Sequence, residues 1–183
     1  MINTKRDLYL YLKADSENFQ QQVSGFFTRV RWNLFSEPGS DNKYIWKYIE
    51  ALRKLEYYTN NGIRWGMVWY GHKLKRLAYK TGFQIPPNTC GPGLTIYHYG
   101  TIIINDKTRI GSHATLYPGV LIGHKVPGDP APVIGDHVFI GSGAKIIGDI
   151  HIGSNVTIAP NAVVVKDIPD NSTVGGVPAK NLK

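Results

Sequence analysis

Ile104, Ile110, Leu116 and Ile122 are spaced by six, and so are Ile134, Ile140, Ile146, Ile152, Ile158 and Val164. The two sets lie twelve apart, so they share one register, with Gly128 in the vacant slot inside "HKVPGDPAP". Side chains repeat every 3.6 residues in a helix and every 2 in a strand, so neither accounts for a period of six. A solenoid does: each six residues make one short strand and a turn, and stacked coils bury what one strand cannot bury alone. Three such sides close a prism, so one coil takes 18 residues. Small residues follow several anchors (Gly111, Gly123, Gly135, Gly141, Gly153, Ala159), where the backbone must turn sharply. Small or aliphatic residues come four after an anchor at Ala114, Val138, Ala144, Val156 and Ala162. The expected loop at Gly128 bulges from the prism.

Residues 1–82 have a different texture. "TKRD" predicts a helix capped by Thr4 with Asp7 three residues on. A second helix is predicted from about Asn42 to Tyr58, with Ile45, Ile49, Leu52 and Leu55 on one face. After the turn at 60–62 comes a third, with Ile63, Met67, Tyr70, Leu74 and Leu77 on one face and Gly82 as its stop. Phe19–Phe35 is read as helix and "SEPGSDN" as a loop. The prolines and glycines of "QIPPNTCGPG" end the helical part. The expected fold class is therefore α+β: a helical segment over 1–82, then a parallel β-helix over 83–183.

Composition narrows the functional classes. No apolar run is long enough to span a bilayer. The N-terminus carries no signal-peptide pattern, so we expect a mature, cytoplasmic protein. The single cysteine, Cys90, excludes an intrachain disulfide and a cysteine-based metal cluster, and is read as a small buried hydrophobe. The net charge of +8 is uneven: residues 1–82 hold 14 Lys+Arg against 7 Asp+Glu, and 83–183 hold 7 against 6. A basic segment containing Trp32, Trp46, Trp65 and Trp69 has the composition to meet nucleic acid or an anionic membrane surface. Because its charges are spread, we read instead a solvated helical surface over an aromatic core. No nucleic-acid partner is expected; membrane contact is compatible but not expected.

The hexads, with "FIGSGAKIIGDIHIGSNVTIAPNAVVVKDIPDNSTVGGVPAK" and a preceding helical segment, resemble the hexapeptide-repeat acyltransferases, and more narrowly their serine acetyltransferase group. The resemblance is strong over 83–183 and weak over 1–82. It implies a left-handed coil, acetyl-CoA as acetyl donor, and a homotrimer whose trimers could pair through the helical segment. Residues 18 apart stack, so Gly123, Gly141 and Ala159 are expected in one column and His124, Ser142 and Pro160 beside it, provided the loop keeps the register. In the similar enzymes this edge carries the pantetheine arm between subunits. Pro178 and Lys180 of "GGVPAK" match the family's adenine and phosphate contacts, with Lys166 as a second cation.

Acetyl transfer to a hydroxyl needs a base and an oxyanion stabiliser. Alignment with the family puts its catalytic histidine at His98, in "LTIYHYGTIIIND". The six-residue register extended back to 98 points inward, which would suit a core histidine; "GPG" at 91–93 makes that coil irregular, so we read His98 as the base. His113, His137 and His151 are read as outward-facing surface residues. Asp106 matches an acidic position of the family that could orient His98 or bind a substrate hydroxyl. No metal is expected.

The chain departs from the serine enzymes in four places. Gln84 and Tyr97 stand where they carry aspartates, and Pro130 and Ala131 where they carry an Arg-His pair. A zwitterion needs charged partners on desolvation, whereas a polyol needs hydroxyls, amides and aromatic faces. Gln84, Tyr97, Tyr99 and Tyr117 supply the latter near His98. The expected acceptor is therefore a sugar or glycan hydroxyl, as in polysaccharide modification, with serine as the alternative. A non-catalytic β-helix and a metal-dependent hydratase are minor alternatives.

Overall fold

The computed structural model describes residues 1–17 and 42–182. The expected helix at Phe19–Phe35 and all but the last residue of "SEPGSDN" lie outside the described residues. Three described helices precede the strands: α1 (Lys5–Glu17), α2 (Asn42–Asn60) and α3 (Arg64–Thr81). Thr4 Oγ1 accepts the Asp7 N–H at 3.0 Å while Asp7 Oδ2 accepts the Thr4 N–H at 2.8 Å, the reciprocal cap its spacing predicts. Hydrogen bonds from the Thr4 backbone and side chain, then from the Asn3 backbone, hold the Asp7 carboxyl below the usual carboxylate range. Gly82 ends α3 in the left-handed conformation (φ 81°), its N–H bonded to Ala78 O at 2.8 Å.

Ile45, Ile49 and Leu52 of α2 are buried, as are Leu74 and Leu77 of α3. The expected aromatic core is only partly there. Trp46 packs half-buried on the core, but Trp65 and Trp69 are each 67% exposed. Their positions on α3 lie opposite Leu74 and Leu77, so helical geometry sends them to solvent.

From Phe83 the chain winds as a parallel β-helix with three faces. The first holds β1 (Phe83–Gln84), β3 (Ile102–Ile104), β6 (Leu121–Gly123), β9 (Lys145–Ile147) and β12 (Val163–Val164). The second holds β4 (Arg109–Ile110), β7 (Val133–Ile134) and β10 (His151–Ile152). The third holds β2 (Thr95–Ile96), β5 (Thr115–Leu116), β8 (Phe139–Ile140), β11 (Thr157–Ile158) and β13 (Thr173–Gly175), with antiparallel β14 (Lys180–Asn181) at its edge. All ten hexad anchors are at most 5% exposed, and Ala114, Val138, Ala144, Val156 and Ala162 are buried beside them. Residues 125–130 are exposed, as expected of the bulged loop.

The helices are bolted to the first coil by one buried charge cluster. Arg53 donates to Asp15 at 2.8 Å, to Glu56 at 3.1 Å and to the carbonyls of Cys90 at 2.8 Å and Gly91 at 2.6 Å. Asp15 also accepts the Leu94 N–H at 2.9 Å. Burial works against the Arg53 charge, but Asp15 and Glu56 outweigh it and raise its pKa. Cys90 is buried in this junction, and desolvation pushes its thiol up to about 11, the inert state expected of it.

Candidate active site

The corner between the third and first faces is a ladder. Ile96 pairs with Leu116, Leu116 with Ile140, Ile140 with Ile158 and Ile158 with Val174. The residues that follow them therefore stack as Tyr97, Tyr117, Gly141, Ala159 and Gly175. Beside them run Pro118, Ser142, Pro160 and Gly176; in the first coil His98 follows Tyr97 at the same corner, while Pro118 lies over Gly100. Ile96, not residue 98, occupies the anchor slot, because two extra residues lie between it and the next anchor, Ile104. His98 is thereby turned out to an exposed corner. It has φ 64°, but Asn161 on the same corner and His113, His137, Asn155 and Asn171 on another share that conformation. It is thus a property of the coil's corners rather than a mark of catalysis.

His98, Ser142 and Pro160 stand on one corner, with Ser142 two coils from His98. His98, the expected base, and the column expected to hold the donor's arm thus share one corner of the coil. The sequence reading put these in different parts of the coil. Ser142 Oγ is tied to Pro118 O at 2.8 Å, which orders this edge.

Two expected members of the column belong elsewhere. Leu116 pairs with Ile140, 24 residues on, because the loop at 124–132 adds a hexad to that coil. Gly123 and His124 therefore do not stack on Gly141 and Ser142; Gly123 pairs with Ile147, at the corner between the first and second faces. There His124 Nδ1 meets Asn105 Nδ2 at 3.1 Å. Lys166 follows β12 at this same second corner, away from Ser142 and Pro160. Lys180 stays with the column, since it pairs with Gly175 at its end, and Pro178 follows a cis peptide in the exposed tail.

Smallness has two causes here. A Cβ on Gly141 would lie 2.6 Å from Pro160 N, so stacking of the coils alone requires glycine there. A Cβ on Gly123 would meet only Asn105 Cβ at 3.6 Å, an ordinary contact. Packing does not require Gly123.

The expected polar and aromatic residues separate as well. Tyr97 and Tyr117 stack with ring centroids 5.1 Å apart, and Phe139 continues the ladder at 5.3 Å from Tyr117. Tyr99 turns to the helices, its ring edge-on to Tyr44 at 6.4 Å, so it packs under α2 instead of lining the open corner. Gln84 is exposed on the first face, opposite Ile103. Asp106 lies beyond β3 at the second corner, exposed, with its carbonyl accepting Arg109 Nη1 at 2.8 Å. Strand β3 separates it from His98 within the protomer, so it is not placed to orient that ring. His113 and His137 are exposed and stack on each other at 4.8 Å, and His151 is exposed too. Phe139 and Asn105 were not singled out from sequence; the extra hexad brings Phe139 opposite Thr115, while Asn105 comes beside Gly123 at the ordinary spacing of 18.

A three-faced coil built of hexads is the architecture of the hexapeptide-repeat transferases. The family model described as bacterial transferase hexapeptide (six repeats) matches residues 131–166. The chain is 35% identical over 159 residues to serine acetyltransferase of Helicobacter pylori, covering 84% of this chain and 87% of that protein. It is 42% identical over 106 residues to serine acetyltransferase of Staphylococcus aureus, covering 56% of this chain and 50% of that protein. The crystal structure of Neisseria gonorrhoeae serine acetyltransferase superposes with a TM-score of 0.70 at 28% identity, over 98% of this chain and 66% of that chain. This chain belongs to the serine acetyltransferase family; it is an acetyl-CoA-dependent acyltransferase, and its β-helix is left-handed.

These relatives overturn the expected sugar or glycan acceptor, and polysaccharide modification with it, in favour of serine. The sequence argument rested on four lost charges. The structure shows that the loop is not stripped of charge: Asp129 is exposed on it, and Lys107 Nζ spans it, donating to Gly128 O at 2.8 Å. Ala131, by contrast, is buried.

Proposed function

We propose that this chain is a cytoplasmic serine O-acetyltransferase that moves the acetyl group of acetyl-CoA to the hydroxyl of L-serine. The observation that carries the reading is the 35% identity to a serine acetyltransferase over 84% of the chain, helices and coil together. In the proposed reaction His98 takes the serine hydroxyl proton. The oxygen adds to the thioester carbonyl, and the tetrahedral intermediate collapses with loss of CoA thiolate. The imidazolium then returns the proton to sulfur, so the base is regenerated. The donor's arm lies along the corner at Ser142, Ala159 and Pro160, with Lys180 answering its phosphates. A single prism gives that edge one wall; a homotrimer supplies the second from a neighbour, and this is the assembly proposed.

Thiol release from acetyl-CoA tests the acceptor. Saturable turnover with L-serine is expected, and none with neutral sugars. Donor binding without turnover on serine would overturn the reading. His98→Ala should lower kcat by about 10²–10⁴-fold, the usual contribution of a positioned base. Lys180→Ala should instead raise the KM for acetyl-CoA with kcat largely kept.

A further inference from the structure

On α3, Trp65, Val68, Trp69 and Tyr79 are 67, 74, 67 and 80% exposed. At 100° per residue they fall on one stripe, with His72 and Arg76 in line. The opposite face carries Leu74, Leu77 and Thr81, all buried. Arg64 and Lys75 border the stripe on one side, Lys73 and Lys80 on the other. The helix thus holds five cations, Arg64, Lys73, Lys75, Arg76 and Lys80, and no Asp or Glu. Lys43 and Lys47 extend the basic ground onto α2. Burial lowers the pKa of Lys47, and its neighbours Lys43, Lys73 and Lys80 lower it further, so these cations crowd one another. Lys80 and Lys47 both lie over the Tyr44 ring, at 5.1 and 5.7 Å.

Tryptophan and tyrosine between two rows of lysine and arginine is the composition of a helix lying in a membrane interface. Rings sit at headgroup level, and cations answer anionic lipid. No described helix is long and apolar enough to cross a membrane, so this face would lie on a surface. A second copy of the chain fits poorly, since two such faces bring five cations each and no acid. Nucleic acid fits poorly too, because the rings form a convex stripe rather than a groove. We propose that the exposed face of α3 docks the enzyme on an anionic lipid surface, through Trp65, Val68, Trp69 and Tyr79 and the cations that flank them. Because α3 runs directly into β1, the face lies at the first-coil end of the prism, away from the tail that carries Lys180.

Sedimentation of the full chain with vesicles tests this. Vesicles of phosphatidylcholine mixed with phosphatidylglycerol should pellet the protein, and phosphatidylcholine alone should not. Trp65→Ser with Trp69→Ser, and separately Lys73→Gln with Lys75→Gln, should each weaken pelleting by at least about tenfold, as loss of interfacial rings or of surface cations does. Melting temperature and serine turnover should stay as in the wild type. Equal or absent pelleting with the two vesicle types would overturn the proposal. A smaller particle in the tryptophan variant would assign the face to a second copy. A lowered melting temperature in both variants would assign it to another part of the same chain. Tighter binding to an oligonucleotide than to anionic vesicles would assign it to nucleic acid. Each of those three results also overturns the lipid assignment.

Discussion

Arg53 and Ile146 are both fully buried, yet each region of the molecule uses its buried residue differently. In the helical part, a single guanidinium joins α1, α2 and the first coil through two carboxylates and two backbone carbonyls. In the coil, Ile146 is one of ten equivalent anchors, each packed on the coils above and below. A solenoid's stability is roughly a sum of like nearest-neighbour terms. The junction has no such redundancy: removing Arg53 leaves Asp15 and Glu56 buried without their counter-charge. The helical part is therefore specified by a few long-range contacts, and the coil by repetition.

The largest effect expected from breaking this contrast is at Arg53. Arg53→Met should cost about 3–5 kcal/mol, as loss of one partner from a buried ion cluster does. Ile146→Val should cost only about 0.5–1.5 kcal/mol. Chemical denaturation of both variants measures the difference. A triple replacement of Arg53, Asp15 and Glu56 by apolar residues should recover part of the loss, because no buried charge is then left alone. Equal effects at Arg53 and Ile146 would remove the contrast.

A smaller effect probes the coil's spacing. Gly141→Ala puts a methyl 2.6 Å from Pro160 N and must push two coils apart. The expected cost is about 1–3 kcal/mol, as for other overpacked sites. Gly123→Ala meets nothing closer than 3.6 Å and should leave stability nearly unchanged. Thermal melts of the pair decide whether the small residues serve stacking alone. A stable Gly123→Ala protein with weakened acetyl-CoA binding would show that a ligand approaches the second corner.

The same contrast explains what was legible in the sequence. Ten anchors in phase could be read directly, because every coil repeats the same burial. The capping box at Thr4 and Asp7 and the stop at Gly82 could be read because both are local. Arg53 could not, since its partners lie 38 residues back at Asp15 and 37 on at Cys90. His98 was placed by resemblance, while the six-residue register pointed it inward. Two extra residues between Ile96 and Ile104 hand the anchor slot to Ile96 and turn His98 outward. The column assigned to Gly123 and His124 failed for a related reason: a spacing of 18 holds only while each coil has three hexads. The acceptor was misjudged because four single positions were weighed above the likeness of the whole chain, which runs with serine acetyltransferases over 84% of its length.

The smallest expected effect is at the other end of the helical part, in the Asp7 cap. Its folded pKa lies below its ordinary value of 3.8, because the carboxylate accepts the Thr4 and Asn3 N–H groups. A group whose folded pKa is depressed stabilises the fold fully above its unfolded pKa and loses that stabilisation as pH falls through the folded one. The cap should thus be intact at neutral pH and weaken only below about pH 4, near the unfolded aspartate value. Amide exchange at Asn3 and Thr4, followed against pH, reads this directly. Asp7→Asn should abolish the pH dependence of that exchange and leave serine turnover unchanged. The junction at Arg53 should respond differently. Glu56, which burial raises above its ordinary range against the pull of Arg53, takes up its proton at higher pH than Asp7 does. Protection at Asn88, whose N–H bonds Glu56 Oε1 at 2.8 Å, should therefore begin to change at a higher pH than protection at Thr4. The opposite order would mean that the Arg53 cluster holds Glu56 ionised more strongly than its burial opposes it.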